Sequence, residues 1–356
     1  MGKFLPARLK KAREDAGLTQ ESFARAVGLS SEFISLLEAG KRAPSLDTLS
    51  RIAAYFNKDP SFFLGEKDPA FKVLFRAPAL DLSPQIRDEL ESFKRYVEDY
   101  LCLEEATGRR LETAPLYSGP ISPGRMAAEE RRRLGLGDEP IRDIFALLEN
   151  SGLRILRGPL PSDVEISGVF VFIEAKNAAF ALVNSSQTIC RQVFTAAHEY
   201  CHYLKDRYDP PLIDSLEVSG YCGKPATARG GSAFDKRDRF AQEFAAHFLM
   251  PPAKIREIAE REAGSAKLSY EGILLLKRYF GVSALAMVRT LSIQRLLTKA
   301  QAAEYARIDP APRERDIFGS TDETFGPGSG LLQGKIIVSD RFRLMEKEVT
   351  GAQNAK

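Results

Sequence analysis

Two histidines with a glutamate between them stand out in the segment RQVFTAAHEYCHYLKD, residues 191–206. His198 and His202 fall on one face of a helix, because α-helical positions four apart lie one above the other. Glu199 projects about 100° away from His198, beside a shared ion rather than on it. Imidazole nitrogens bind zinc and a neighbouring carboxylate can take a proton from water, which is what metal-assisted hydrolysis needs. The alternative is an ordinary helix with two incidental histidines.

A zinc site of this kind also needs a third protein ligand, usually a carboxylate on a later helix. The segment DKRDRFAQEFAAHFLMPP, residues 235–252, predicts such a helix, and it offers Asp238 and His247. These two lie nine positions apart, about half a turn round, so one straight helix cannot turn both towards the same ion. We expect Asp238 to be the ligand and His247 to pack or cap. The alternative for Asp238 is an exposed carboxylate near the helix start.

Four segments in this order, PIRDIFALLENSGLRIL, FTAAHEYCH, DRFAQEFAAHFLMPP and GVSALAMVRTL, resemble the ImmA/IrrE family of metallopeptidases over about residues 126–295. The resemblance implies a zincin-like domain with a small sheet, a zinc ion and Glu199 as the catalytic base. Manganese is also compatible with two histidines and a carboxylate. In that family the third ligand is typically a Glu in the pattern E-x-x-A-N-x-F-A…L-M-P. By position this Glu is Asp238 and the Asn is Gln242, so both residues depart from the family pattern.

The N-terminal segment 17–56 has the spacing of a helix-turn-helix. Ala24 sits where two helices approach closely, Gly28 where the turn needs a permissive backbone, and Ile34 where a side chain returns to the core. Small, glycine and apolar residues at these offsets are typical of the motif, with the helix at 30–39 in the recognition position.

Residues 4–64 resemble the five-helix repressor fold of the Xre type. The resemblance implies DNA contacts for a set of polar residues: Gln20, Lys41 and Arg42 on the phosphate backbone, and Ser31, Glu32 and Ser35 at base edges. Residues 1–58 carry ten Lys and Arg against six Asp and Glu, which favours a phosphate-facing module. Such modules normally bind as dimers, so a homodimer is expected. The alternative is a bundle that docks proteins and presents a solvated charged face.

The bulk composition fits several domains of a globular protein. The chain has 356 residues, 44% of them hydrophobic, and a net charge of +3. It has four scattered cysteines, no secretory segment at its start and no apolar run of the ~20 residues that cross a bilayer, so a cytoplasmic protein without membrane contact is expected. The predicted fold is α+β and mainly helical. The predicted division is a helix-turn-helix domain (1–65), a helical connector and linker (66–125), a metallopeptidase domain (126–298) and a C-terminal extension (299–356).

These features predict a DNA-binding, zinc-dependent endopeptidase that regulates transcription. What the family resemblance implies is cleavage of a repressor protein, which would relieve repression at an operator under stress. The alternative is a transcriptional regulator whose peptidase-like domain senses or docks a partner without cutting it. The two departures at Asp238 and Gln242 favour that alternative, whereas the retained His198, Glu199 and His202 favour the enzyme.

Overall fold

The computed structural model describes residues 3–4, 6–56, 58, 60–65, 84–160, 166–209, 213–215, 233–263, 267–319 and 337–354. Within them the chain is mainly helical, with a four-stranded sheet and a two-stranded ribbon, so the α+β class predicted from the sequence is confirmed. Across these ranges, no helix combines the length and the apolar character that a membrane span requires.

The N-terminal bundle has an apolar core of its own. It consists of α1 (Pro6–Asp15), α2 (Gln20–Ala26), α3 (Ser31–Glu38), α4 (Leu46–Tyr55) and a 3-10 turn (Pro60–Phe63), with a ribbon of β1 (Lys3–Phe4) and β2 (Leu64–Gly65). The side-chain oxygens of Thr19, Ser30 and Ser45 each accept from a backbone N–H three residues on. These caps satisfy donors that a helix start leaves open. Gly28 has φ +66°, which explains why the turn before α3 needs glycine.

The sheet is built from β3 (Leu153–Gly158), β4 (Ile166–Ile173), β5 (Ala178–Asn184) and β6 (Ile213–Ser215), in the spatial order β3-β5-β4-β6. β3 runs parallel to β5, whereas β4 is antiparallel to β5 and to β6. β4 and β5 are two β-rich runs of the sequence joined by a short polar turn, a pattern that predicts a strand pair, and Asn177 turns between them with φ 49°. β6 has only three residues, which are too few to show the alternating pattern that predicts a strand.

The helices of this part of the chain are α5 (Pro84–Thr107), α6 (Pro123–Arg133), α7 (Ile144–Asn150), α8 (Ile189–Cys201), α9 (Ala233–Leu249), α10 (Pro252–Ala263), α11 (Tyr270–Phe280), α12 (Ala284–Ile293), α13 (Lys299–Tyr305), α14 (Pro310–Phe318) and α15 (Asp340–Asn354). The helix α8 carries the histidine motif, and it widens at its end into a π-helical turn, His202–Asp206. Such turns occur frequently at functional sites.

One face of the sheet is covered by α5 and α15. Phe93 of α5 and Phe342 of α15 share a buried cluster with Phe180 of β5. Arg154 of β3 also donates to both carboxylate oxygens of Glu104 in α5, at 2.7 and 2.8 Å, where both side chains are buried. The two helices therefore share a core with the sheet, although the sequence assigns them to the connector and the extension. An apolar stripe shows that a helix is covered but not what covers it, and the boundaries themselves stay predictions.

The opposite face of the sheet lies against α8. Phe170 of β4 and Val183 of β5 belong to the same buried cluster as Ala196 and Ala197 of α8. Because both alanines are small and completely buried, α8 can lie close to the strands. This packing fixes the helix that carries the motif against β4.

The helix α1 also contacts the part of the chain that carries the motif. Three ion pairs join the two parts: Arg8 with Glu174, Lys11 with Asp209, and Asp15 with Lys205. Burial alone would lower the pKa of Lys11, but the charges of Asp209, Asp15 and Asp206 outweigh it and raise that pKa. Lys11 therefore stays charged. The exposed face of α3 takes no part in these contacts.

Candidate metal centre

His198, His202 and Asp238 converge in the core, although Asp238 is 36 positions beyond His202 in the chain. The side chains of the two histidines are 2% exposed and that of Asp238 is 4% exposed. The Nε2 atoms of the histidines are 3.1 Å apart, and His198 Nε2 lies 3.4 Å from Asp238 Oδ1. One ligand atom from each residue lies within 4.8 Å of the other two. Packing of α9 on α8 brings the three together.

These distances fit a zinc ion. Donor atoms about 2.0–2.2 Å from a tetrahedral zinc lie roughly 3.3–3.5 Å from one another. The separations of 3.1 and 3.4 Å between neighbouring donors are close to that value. Two imidazole nitrogens and one carboxylate oxygen are also a donor set that zinc accepts. The residues present therefore fit the ion that the motif implies.

Asp206 orients the second histidine. His202 Nδ1 lies 2.9 Å from Asp206 Oδ2, so the ring donates through Nδ1 and directs the Nε2 lone pair towards the site. Burial lowers the pKa of His202, and this effect exceeds the opposing hydrogen bond to Asp206. The imidazole is therefore neutral at neutral pH, which is the form that binds a metal. The sequence carries a signal for this contact, since Asp206 lies four positions after His202, but the motif by itself does not predict the role.

The carboxylate of Asp206 stays ionised. Burial would raise its pKa, but the hydrogen bond from His202 and the charges of Lys11 and Arg237 hold the pKa of Asp206 below its ordinary value. An ionised carboxylate is the stronger acceptor for the Nδ1 proton. The charge of Lys11 thus reaches this residue from α1.

His247 lies apart from this cluster. Its ring borders Gly124 of α6, where an added Cβ would be 3.3 Å from two ring atoms. Burial lowers the pKa of His247, and the charge of Glu243 opposes that shift. Of the two candidates from the sequence, the structure brings Asp238 to the histidines and turns His247 to the other side of α9.

Glu199 lies beneath β4, next to the two histidines in sequence. Its side chain is 1% exposed. A Cβ added to Gly168 of β4 would be 2.6 Å from Glu199 Oε1 and 2.6 Å from Thr195 Cγ2. Only glycine at this position lets the strand approach the carboxylate so closely. The sequence shows a glycine within a strand pattern, but it does not show which side chain fills the space.

Replacing Gly168 with alanine is expected to lower the free energy of unfolding by about 1–3 kcal/mol, because the added methyl overpacks this contact. Glu199 could rotate away, but the β-branched Thr195 is stiff and blocks the same space. Urea denaturation of the metal-free protein measures the change.

Gly124→Ala is the matched control, because the nearest atoms to its added Cβ are 3.3 Å away and the residue lies in a helix. That variant is expected to unfold within about 1 kcal/mol of the wild type. Equal stability of Gly168→Ala and the wild type would contradict the close approach of β4 to α8.

Two of the tyrosines near the motif pack in the core or against it. Three tyrosines lie near enough to the motif in sequence to be candidates for stabilising an oxyanion: Tyr203, Tyr208 and Tyr221. The Tyr203 hydroxyl donates to Ser151 O and accepts from the backbone N–H of Ala114. These two hydrogen bonds hold the hydroxyl on the far side of α8. Tyr208 packs edge-on against a phenylalanine ring, and Tyr221 lies outside the described residues.

The residues that the sequence assigns to DNA contact lie at one end of the N-terminal bundle. Five of them are exposed on α3 or just after it: Ser31, Glu32, Ser35, Lys41 and Arg42. Gln20 is half-buried, and its amide donates to Glu38 Oε2 at 2.7 Å. Glu38 also pairs with Arg13. One N–H of Gln20 is therefore used inside the bundle, and the amide has a second N–H to offer a phosphate.

Fold and site together define a helix-turn-helix domain joined to a metallopeptidase-like domain. A helix-turn-helix family model matches residues 9–63, and the model of the IrrE N-terminal-like domain matches residues 168–292. The chain therefore carries an Xre-type helix-turn-helix domain followed by an ImmA/IrrE-like domain. The family resemblances seen in the sequence are confirmed.

Two known proteins are similar to parts of the chain. The ImmF control region 10 kDa protein of Bacillus phage phi105 is 43% identical over 58 residues, which cover 16% of this chain and 64% of that protein. A solved Mycobacterium tuberculosis transcriptional regulator is 16% identical with a TM-score of 0.32, over 55% of this chain and 51% of that one. The chain thus spans less than two thirds of the length of each of them.

Proposed function

We propose that this protein is a DNA-binding zinc endopeptidase that regulates transcription by cleaving a repressor protein. The observation that carries the proposal is the convergence of His198, His202 and Asp238 at separations that suit zinc, with Glu199 beside them. The helix-turn-helix domain gives such an enzyme a reason to act at an operator. The name of the phage control protein, which resembles only a short segment, agrees with a role in control.

Each residue of the site would have a separate task. His198 and His202 would hold zinc through Nε2 and Asp238 through Oδ1, while Asp206 keeps the His202 ring in place. Bound zinc would supply a Lewis acid that lowers the pKa of water towards ~7 and polarises a peptide carbonyl. The Glu199 carboxylate would accept a proton from the attacking water at Oε1 or Oε2 and pass it to the leaving amine.

The arrangement of the N-terminal bundle supports DNA binding by the same conformation. The helix α1 faces the metal-site part of the chain through Arg8 and Lys11, whereas Ser31 and Ser35 of α3 remain exposed. Serine hydroxyls can pair with base edges, and Lys41 and Arg42 can neutralise phosphates. Binding of an operator therefore does not require the two parts to separate.

One observation favours a second candidate, a regulator that docks or senses a partner without cutting it. Glu199 is 1% exposed and the ligand residues are 2–3% exposed. In addition, β6 pairs with β4. Asp214 of β6 is the register partner of Gly168, which is the glycine that lies over Glu199. A peptide chain could reach this site only after part of the cover has moved.

Cleavage assays separate the two candidates. The full chain, loaded with zinc or stripped by a chelator, is incubated with a panel of purified helix-turn-helix repressors and with unfolded casein. Mass spectrometry of the products is expected to show zinc-dependent fragments of a repressor. Stoichiometric zinc without any cleavage product would support the non-proteolytic regulator instead.

DNA binding is tested with selection from random duplexes and with salt titration. Lys41→Ala combined with Arg42→Ala is expected to weaken binding to all duplexes alike and to reduce the slope of log affinity against log salt by about 2. Ser35→Ala is expected to change the selected sequence instead. Lys10→Ala, at an exposed position of α1, removes one charge elsewhere and serves as the control. An unchanged salt slope in the double variant would contradict phosphate contact by this pair.

A further inference from the structure

The carboxylate of Asp238 has a buried amide attached to it. Gln242 lies one turn further along α9, and its Nε2 donates to Asp238 Oδ2 at 2.7 Å. As whole residues, Gln242 is 5% exposed and Asp238 is 3% exposed. Both side chains project from the same face of the helix, because positions four apart lie one above the other. The pair therefore forms one unit on the face that meets the histidines.

We propose that Gln242 is a positioning residue for the metal ligand, and that Asp238 and Gln242 form a length-matched pair. The amide holds Oδ2, and this leaves Oδ1 directed at the site. The short side chain of the ligand, Asp238, is held in place by the longer side chain of Gln242. This inference rests on the proposed role of Asp238 as a zinc ligand.

The amide restricts a rotation that a lone aspartate would keep. The last torsion of an aspartate is broad, so its two oxygens can exchange or swing away from an ion. With Oδ2 bonded to Gln242, Oδ1 stays 3.4 Å from His198 Nε2. Groups of this kind around a metal site typically change metal affinity by about 10–100-fold.

The lengths of the two side chains have to match. Asp238 reaches the site with one methylene, and the same face of α9 carries Ala241 and Ala245, which are completely buried. Small residues there let the helix backbone come close to its neighbours, as a short ligand requires. Gln242 spans the turn with two methylenes. Moving one methylene from position 242 to position 238 keeps the combined length and returns the pair to a glutamate with an asparagine.

Each single change disturbs the pair in a different way. In Asp238→Glu the longer side chain pushes its carboxylate into the space of the histidines, while Gln242 still has the length that suits an aspartate. In Gln242→Asn the amide falls short of Oδ2, and the aspartate regains its rotation. The double variant corrects both errors at once. An ordinary buried hydrogen bond along a helix would couple the two changes in the stability of the metal-free chain, whereas a positioning role requires the coupling to appear in zinc affinity.

A double-mutant cycle on the full chain tests the proposal. Zinc affinity is measured by competition with a chromophoric chelator, and the geometry by the visible absorption of bound Co²⁺. Asp238→Glu and Gln242→Asn are each expected to weaken zinc binding by about tenfold and to alter the Co²⁺ spectrum. The double variant is expected to recover the affinity to within about threefold and to restore the spectrum.

The controls separate this inference from folding defects and from the proposed function. Urea denaturation of the four metal-free proteins shows whether each variant folds, and Glu243→Asp shortens an exposed neighbour on α9 without an expected effect on zinc. Additive losses in the double variant, or unchanged zinc affinity in folded Gln242→Asn, would overturn the matched pair and leave the zinc site standing. A wild-type chain that binds no zinc would overturn the proposed site itself.

Discussion

Replacing Glu199 with glutamine is expected to reduce zinc-dependent cleavage by about 10²–10⁴-fold while zinc binding stays within about threefold of the wild type. Glutamine has the shape of glutamate but cannot accept a proton, so proton transfer from water is lost. Glu199 is 1% exposed, and a neutral amide at this buried position does not place an unsolvated charge in the core. Turnover on a cleaved repressor and zinc content measured in the same preparation check both parts.

Glu243→Gln makes the same chemical change on the exposed side of α9 and is expected to leave cleavage at the wild-type rate. If Glu199→Gln cleaves at nearly the wild-type rate, Glu199 is not the base of the mechanism. If the wild type binds zinc and cuts no repressor, the buried site supports a regulator that does not cleave proteins.

The second large effect is on stability. Zinc at about 1,000 times its dissociation constant is expected to raise the free energy of unfolding by about 4 kcal/mol, because the ion binds the folded chain and not the unfolded one. His202→Ala removes one ligand and the contact with Asp206, so this gain is expected to disappear. Thermal unfolding with zinc and with a chelator measures the difference. His247→Ala, a histidine apart from the ligand cluster, is expected to keep the full gain.

The zinc-linked gain also depends on pH. Protons compete with zinc for the imidazoles, so the gain falls as the pH decreases. Burial lowers the pKa of His202 below its ordinary 6.5, and the folded ring therefore stays neutral where an unfolded histidine is protonated. Stability of the metal-free chain should also decline below pH 6.5, since the unfolded state then binds more protons. A gain that is constant from pH 8 to pH 5 would contradict zinc binding by these histidines.

Local patterns in the sequence predicted much of the fold. Thr19 and Ser30 are residues of a type that caps helices, and each of them starts one, while Gly28 has the positive φ that its turn predicts. β4 and β5 were recognised because β-rich runs with a short polar turn need no distant partner to be seen. The three-residue β6 was missed, and so was the packing of α5 and α15 on the sheet. Both depend on contacts between segments far apart in the chain.

For the site, the sequence by itself determined that His198 and His202 share a helical face and that Glu199 lies beside them, because helix geometry fixes neighbours one turn apart. It also reduced the candidates for a third ligand to two residues on α9 that face opposite ways. Only the tertiary structure decided that Asp238 meets the histidines, since the distance between α8 and α9 is set by packing and not by local sequence. Contacts between distant segments also placed Gly168 of β4 over Glu199. They brought Lys11 of α1 close enough to Asp206 for its charge to lower the pKa of that carboxyl. The pairing of Gln242 with Asp238 depends on both sequence and tertiary structure: the spacing of four residues allows the hydrogen bond, and the burial of this face of α9 makes it necessary.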